Sequence, residues 1–156
     1  MFLKITGLKG ESADSKHKDE IDVLSWSWGA SQSGTMHIAT GGGAGKVNVQ
    51  DMNLTKYVDA SSPSLFGACA SGKHFTEAVL VNRKAGENPL EYLTITMTDV
   101  LVTSYQTGGS GGEDKLTENV SLNFAKVKKE YKAQNADGSA GATGVHAWNI
   151  AQNKAE

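Results

Sequence analysis

The glycine-rich stretch at residues 41–46 is the part of the sequence that most resembles a phosphate-binding site. A P-loop requires glycine where Thr40 stands and serine or threonine where Val47 stands. A helix must also follow, because its first backbone amides surround the phosphate. The residues after Val47 alternate as in a strand. The sequence therefore argues against a nucleotide site.

Groups that could act as a nucleophile, an acid or a base are present, but they form no catalytic pattern. Residues 30–34 come within one residue of the nucleophile elbow, but no strand-to-helix turn surrounds Ser31. A hydrolase that uses Ser31 with His37 is the weaker enzymatic alternative. Acidic side chains around a predicted hairpin are normally solvated rather than catalytic; here they are Asp99, Glu113, Asp114 and Glu118. We predict no enzyme activity.

Metal and cofactor sites are not predicted either. The lone Cys69 has no second cysteine near it, and no two histidines stand at ligand spacing. Surface or locally bonded positions are expected for the four histidines, which are His17, His37, His74 and His146.

Charge and hydropathy exclude further classes of protein. The 15 basic and 17 acidic residues give a net charge of −2, so no bulk attraction to nucleic acid or to an anionic membrane is expected. The longest purely apolar run, residues 78–81, is far shorter than the ~20 residues of a membrane-spanning helix. The first residues lack the apolar core of a signal peptide. Export would therefore need another route.

Most of the chain has the alternating pattern of strands. Leu24, Trp26 and Trp28 share one predicted face, and Val23, Ser25 and Ser27 share the other. Because a leucine stands beside them, the tryptophans are expected in the core rather than on an exposed platform for stacking carbohydrate.

Several of these strands exchange their apolar face part-way along. The pattern changes from Ile95 and Met97 to residues 100–102, and from Phe124 to Val127 and Tyr131. A similar change between residues 47–49 and 52–54 predicts a bulge or a strand covered on both faces. Strands that change face are typical of a sheet that curves and closes on itself.

One short helix of about nine residues is predicted. Ser62 is the expected N-cap, Pro63 suits the first helical position, and Gly72 suits a left-handed C-cap. Leu65, Phe66 and Cys69 would pack against the barrel from one helix face.

Glycine is concentrated in two loops. Residues 108–112 form the predicted tip of a hairpin, and residues 30–46 form an unusually long loop. The resulting fold class is mainly β: an antiparallel β-barrel formed by two sheets, with one short flanking helix and one long extended loop, in a single domain of residues 1–156.

The order and spacing of several segments resemble the Hcp (hemolysin-coregulated protein) family, the tube protein of bacterial type VI secretion. The resemblance covers nearly the whole chain, from residue 1 to about residue 150. The matching segments are residues 10–12 (GES), 21–29 (IDVLSWSWG), 72–75 (GKHF), 83–86 (RKAG), 91–93 (EYL) and 113–125 (EDKLTENVSLNFA).

The resemblance implies a homohexameric ring, and rings that stack into a tube inside a contractile sheath. The tube would be fired with effectors into a target cell, so the implied partners are other copies of the chain, effectors, a spike protein of the VgrG type, the sheath and the baseplate. The protein would be cytoplasmic before firing and secreted afterwards. A monomeric β-sandwich that binds carbohydrate is the alternative.

Two groups of candidate site residues follow. Ser25 and Ser27, opposite the tryptophan face, are expected to face the lumen and to contact effectors. Residues of the long loop are expected to contact the next subunit or ring, because their glycines allow the backbone to fit a partner; they are Ser31, Gln32, Met36, His37, Gly41, Gly42, Gly43 and Gly45.

Overall fold

The computed structural model describes residues 1–34, 45–86 and 89–156. Its elements in chain order are β1 (Phe2–Ile5), β2 (Ile21–Ser27), β3 (Ala30–Ser31), β4 (Asn48–Val49), β5 (Met52–Tyr57), α1 (Ser62–Ser71), β6 (His74–Arg83), β7 (Glu91–Gly108), β8 (Thr117–Gln134), β9 (Ala140–Asn149) and β10 (Lys154–Ala155).

The strands form an antiparallel barrel. The strand order is β8-β5-β2-β1-β6-β7, and pairing of β7 with β8 closes the ring of strands. β9 pairs with the outer part of β8 and β10 pairs with β9, while β3 and β4 form a separate two-stranded sheet. The predicted mainly β barrel with a flanking helix is confirmed.

The two longest strands change their buried face at the same place. Ile95 and Met97 are buried on β7 before Asp99, whose φ of 54° lies in the left-handed region, and Val100 is buried after it. On the paired strand β8 the change falls between Phe124 and Val127. This confirms the predicted change of face. Tyr131, which was predicted to follow Val127 inward, is instead exposed.

The face predicted for Leu24 is wrong. A β-bulge between Val23 and Ser25 adds one residue to β2, so Val23 is buried and Leu24 is 39% exposed. Beyond the bulge the predicted pattern holds, since Trp26 and Trp28 pack against the core and Ser25 and Ser27 are exposed.

The expected bulge between residues 49 and 52 is also absent. The apolar pattern changes there because the strand ends. Val49 belongs to β4 in the small sheet, whereas Met52 begins β5 in the barrel.

Helix α1 differs from its prediction at the first turn and on one face. Ser61, not Ser62, is the N-cap, and Ser62 is therefore the first residue of the helix. The Ser61 side chain makes no capping hydrogen bond. Gly72 ends the helix in the left-handed conformation (φ 68°), as predicted. Leu65 is buried and Cys69 is half-buried against the core, but Phe66 is 59% exposed.

Candidate functional site

A surface formed mainly by hydroxyl and amide side chains covers one outer side of the barrel. Directly opposite residues on neighbouring strands share a face of the sheet, and the pairing here sets Ser25 beside Thr55 and Ser27 beside Asn53. The same rows continue across β8 and β7. We call this surface the polar face; its residues are Ser25, Ser27, Asn53, Thr55, Ser104, Gln106, Asn119 and Ser121.

Hydrogen bonds between strands fix several side chains of the polar face. Thr55 Oγ1 donates to Asn119 Oδ1 (2.8 Å), and Ser121 Oγ donates to Asn53 Oδ1 (2.7 Å). The nearby carboxylate of Asp51 accepts bonds from Thr103 Oγ1 (2.6 Å) and Asn123 Nδ2 (2.7 Å). The surface is therefore an ordered array of hydroxyl and amide groups.

Both outer strands of the polar face have an open edge. β1 pairs with β2 only at Ile21 and Asp22, and β6 pairs with β7 only as far as Leu101. Residues 24–27 of β2 and 102–108 of β7 consequently have no strand partner on their outer sides within the described part of the chain. Unpaired backbone amides and carbonyls on such an edge are available to a strand of another molecule.

A buried ion pair lies behind the polar face, at one end of the barrel. Lys56 Nζ donates to Glu118 Oε1 (2.6 Å) and to Asp59 Oδ1 (2.9 Å). Its other acceptors are the backbone oxygen of Tyr57 (2.8 Å) and Ser62 Oγ (3.2 Å). The Glu118 side chain is 0% exposed, so the expectation that it would be solvated is wrong. Because the ammonium is surrounded by acceptors, the cluster holds β5, β8 and α1 together rather than offering a free base.

Tyr105 completes this cluster from β7. Its hydroxyl donates to Glu118 Oε2 (2.6 Å). Burial, together with the hydrogen bond to the carboxylate, raises the pKa of Tyr105 from 10.0 to about 12.

Substituting Tyr105→Phe should therefore change how stability depends on pH. A raised pKa in the folded state means that the neutral phenol stabilises the fold fully below pH 10.0 and that this contribution is lost as the pH rises to about 12. The wild type should thus be more stable than Tyr105→Phe at pH 8, and the difference should shrink between pH 10 and 12. Urea unfolding at several pH values measures this difference in stability. Tyr131→Phe, at an exposed tyrosine, is the control. A difference that does not change with pH would contradict the assignment.

The two tryptophans beside the predicted serines are partly buried and pack against the core. Trp26 Nε1 donates across the barrel to Asn82 Oδ1 (3.0 Å), and the Trp28 ring packs against Phe124 with centroids 6.1 Å apart. The prediction that they contribute to the core is confirmed. A carbohydrate-binding module would lack its stacking platform here.

Only part of the predicted loop site falls in the described residues. Ser31 is exposed on β3, opposite Asn48. Gln32 and Gly45 line an apolar groove beside Trp28. A Cβ atom at Gly45 would overlap Ser33 Oγ, so any other residue there would require the Ser33 hydroxyl to move. The remaining predicted residues, Met36, His37, Gly41, Gly42 and Gly43, lie outside the described residues.

A loop of residues 10–20 covers the outer side of β1, and the sequence did not predict its anchors. His17 Nδ1 lies 2.8 Å from Glu20 Oε2 and its Nε2 lies 3.2 Å from Glu91 Oε1. The His17 ring stacks on Phe2, with centroids 4.2 Å apart. Asp14 pairs with Arg83 through both guanidinium nitrogens, which holds the pKa of this carboxyl well below its usual range. His17 and Glu91 are 74 residues apart and Asp14 and Arg83 are 69 apart, so no local pattern could reveal these two pairs.

The described residues contain neither a metal-site cluster nor a membrane-spanning helix. Across 1–34, 45–86 and 89–156, no group of three or more His, Cys, Asp or Glu side chains is placed to hold a metal ion. Among the same residues, no helix has the length and apolar character needed to cross a membrane.

Comparisons with known proteins agree on one family. Residues 2–131 match the family model described as "Type VI secretion system effector, Hcp". The chain is 61% identical to the protein hcp1 of Pseudomonas aeruginosa over 155 residues, which cover 98% of this chain and 96% of that protein.

Solved structures agree with this match. The crystal structure of Hcp1 from Salmonella typhimurium is 46% identical, with a TM-score of 0.82 over 99% of this chain and 97% of that chain. A structure described as a type six secretion system protein is 32% identical, with a TM-score of 0.93 over 99% and 98% of the two chains. This chain therefore belongs to the Hcp family of type VI secretion system effector and tube proteins.

Proposed function

We propose that this protein is the subunit of a hexameric ring and that rings stack into the tube of a type VI secretion system. The observation that carries the proposal is the polar face bounded by two open strand edges, on β2 and on β7. A closed ring needs two different surfaces on each subunit, placed so that the contact between neighbours repeats around a rotation axis until the ring closes. Pairing of the β2 edge of one copy with the β7 edge of the next supplies such a contact and joins the polar faces into one wall.

Such a wall suits a passage for cargo. In the proposed ring the polar faces line the lumen, and Ser25 and Ser27 contact the effector. Their small hydroxyl side chains leave space, and the hydroxyl and amide groups of the polar face offer little apolar surface for tight adhesion. The wall performs no chemistry, so we propose that the protein, with residues 1–156 as one domain, is not an enzyme.

The remaining assignments rest on family membership. The proposed partners are effectors, a spike protein of the VgrG type, the contractile sheath and the baseplate. The protein would reside in the cytoplasm before firing and in the medium or the target cell afterwards, carried there by the secretion machine.

Size-exclusion chromatography with light scattering tests the ring, together with negative-stain electron microscopy. We expect a particle with the mass of six subunits and a central pore. A particle with the mass of one subunit at every concentration tried would refute the proposal.

The long loop is proposed to contact the next subunit or the next ring. Deleting residues 41–45 should impair rings or stacked tubes in electron micrographs, because Ser31, Gln32 and Gly45 at its flanks are exposed. Unchanged rings and tubes after the deletion would refute this role.

A further inference from the structure

We propose that successive rings stack through two complementary ends of the subunit, an acidic end with exposed apolar side chains and a basic end with an apolar groove. The inference rests on the proposed ring. It adds which surfaces meet between rings and why stacking has one direction.

The acidic end lies where β5 finishes and β8 begins. Val58, Phe66 and Leu116 are exposed there, and the backbone nitrogen of Val58 donates to the Leu116 oxygen (2.9 Å). Phe66 is the most exposed of the three, at 59%. Exposed charges beside them in the described residues include the carboxylates of Glu11, Asp22, Glu113 and Asp114 and the ammonium of Lys115.

The basic end contains the groove beside the small sheet. The groove has a volume of about 310 Å³. The apolar side chains that line the groove are those of Trp28, Val47, Val49, Val127 and Trp148. His146 lines the groove too and stands directly opposite Lys129. In sequence, Lys46 lies between the wall residues Gly45 and Val47, and Lys154 follows the wall residue Asn153. These three lysines are exposed.

Strand register places the two ends at opposite ends of the same strands. Tyr57, just before Val58, pairs with Thr117 at one end of β5. Ser27, just before Trp28, pairs with Asn53 near the other end. If copies join side by side through β2 and β7, strands run from one ring face to the other. The acidic end then lies on one face of the ring and the basic end on the opposite face.

Charge and shape both select a second copy as the occupant of the groove. In the proposed contact, the four carboxylates and one lysine of the acidic end face the three lysines of the basic end. Within the described residues, none of these groups forms an ion pair. An apolar side chain that projects from one ring fits an apolar groove on the next. The reverse arrangement would bring carboxylate against carboxylate, so it is disfavoured and stacking has one polarity.

Exchanging charge between the two ends tests the contact. The double substitution Lys129→Glu with Lys154→Glu should leave rings of six intact by light scattering. It should raise the protein concentration at which tubes appear in electron micrographs by at least about tenfold, which corresponds to about 1.4 kcal/mol. Adding Glu113→Lys with Asp114→Lys should restore tubes, because the complementary charges return in exchanged positions.

Phe66→Ser tests the apolar part, with Val145→Ser as its matched control. Val145 is 56% exposed, but it points to the side of β9 opposite His146 and so away from the groove. Phe66→Ser should impair tubes and spare rings, and Val145→Ser should spare both. Added salt should weaken wild-type stacking.

The outcomes separate the contact from the ring. Tubes that form normally in the charge-reversed variant or in Phe66→Ser, or no rescue by the charge exchange, would each overturn the contact, whereas wild-type rings that never stack would overturn the stacking in the proposed function. A wild-type protein that never forms a ring would overturn the proposed function itself.

Discussion

Lys56→Met should lower the free energy of unfolding by about 3–5 kcal/mol, since it removes one partner of a buried ion pair. The fully buried carboxylate of Glu118 would lose an ammonium 2.6 Å away and would keep only hydroxyl donors from Ser62 and Tyr105. Asp59 would lose the same cation. Urea unfolding at one fixed protomer concentration measures the loss, since assembly also contributes to the stability observed.

The exposed ion pair between Lys126 and Glu156 provides the matched control. It has a similar length, 2.8 Å, but both side chains are more than a third exposed. Lys126→Met should therefore change stability far less, because water replaces the lost partner. Combining Lys56→Met with Glu118→Gln should recover part of the loss, because the uncompensated charge is removed. Similar effects of Lys56→Met and Lys126→Met would contradict the structural role of the cluster.

Ser27→Trp should leave rings of six intact and lower the amount of effector that co-purifies with them by at least about tenfold, or about 1.4 kcal/mol. Ser27 is exposed on the polar face beside Asn53. An indole there would project from every subunit of the proposed ring into the same passage. Light scattering measures the ring, and pull-down of an effector on tagged rings measures retention.

Ser64→Trp on helix α1 is the control for Ser27→Trp. Ser64 is exposed and lies outside the polar face. An indole there should leave both the ring and effector retention unchanged. Unchanged retention in Ser27→Trp, or an equal loss in both variants, would show that the polar face does not contact cargo.

Features set by nearby residues could be predicted from the sequence. Pro63 and Gly72 marked the two ends of α1 to within one residue, because proline fits the first helical turn and glycine adopts the left-handed C-cap. The changes of face near Asp99 and Phe124 were visible as a change in alternation. Ser25 and Ser27 were correctly placed on an exposed side.

Features that depend on partners far along the chain could not be predicted. The bulge at Leu24 reverses the expected face through one extra residue, which alternation alone does not reveal. Glu118 looked like a solvated residue near a hairpin, but its partner Lys56 stands 62 positions earlier and meets it only when β5 pairs with β8.

The sequence by itself determined the fold class, the helix and, through the spacing of its segments, the family of this protein. The fold class and the helix follow from side-chain alternation and local backbone preference, which need no knowledge of distant contacts, whereas the family follows from the resemblance of these segments to known members. Only the tertiary structure decided which strands are neighbours. That pairing leaves the edges of β2 and β7 open, buries Lys56 with Glu118, and separates the acidic end from the basic end, because hydrogen bonds between strands join residues that the chain keeps far apart.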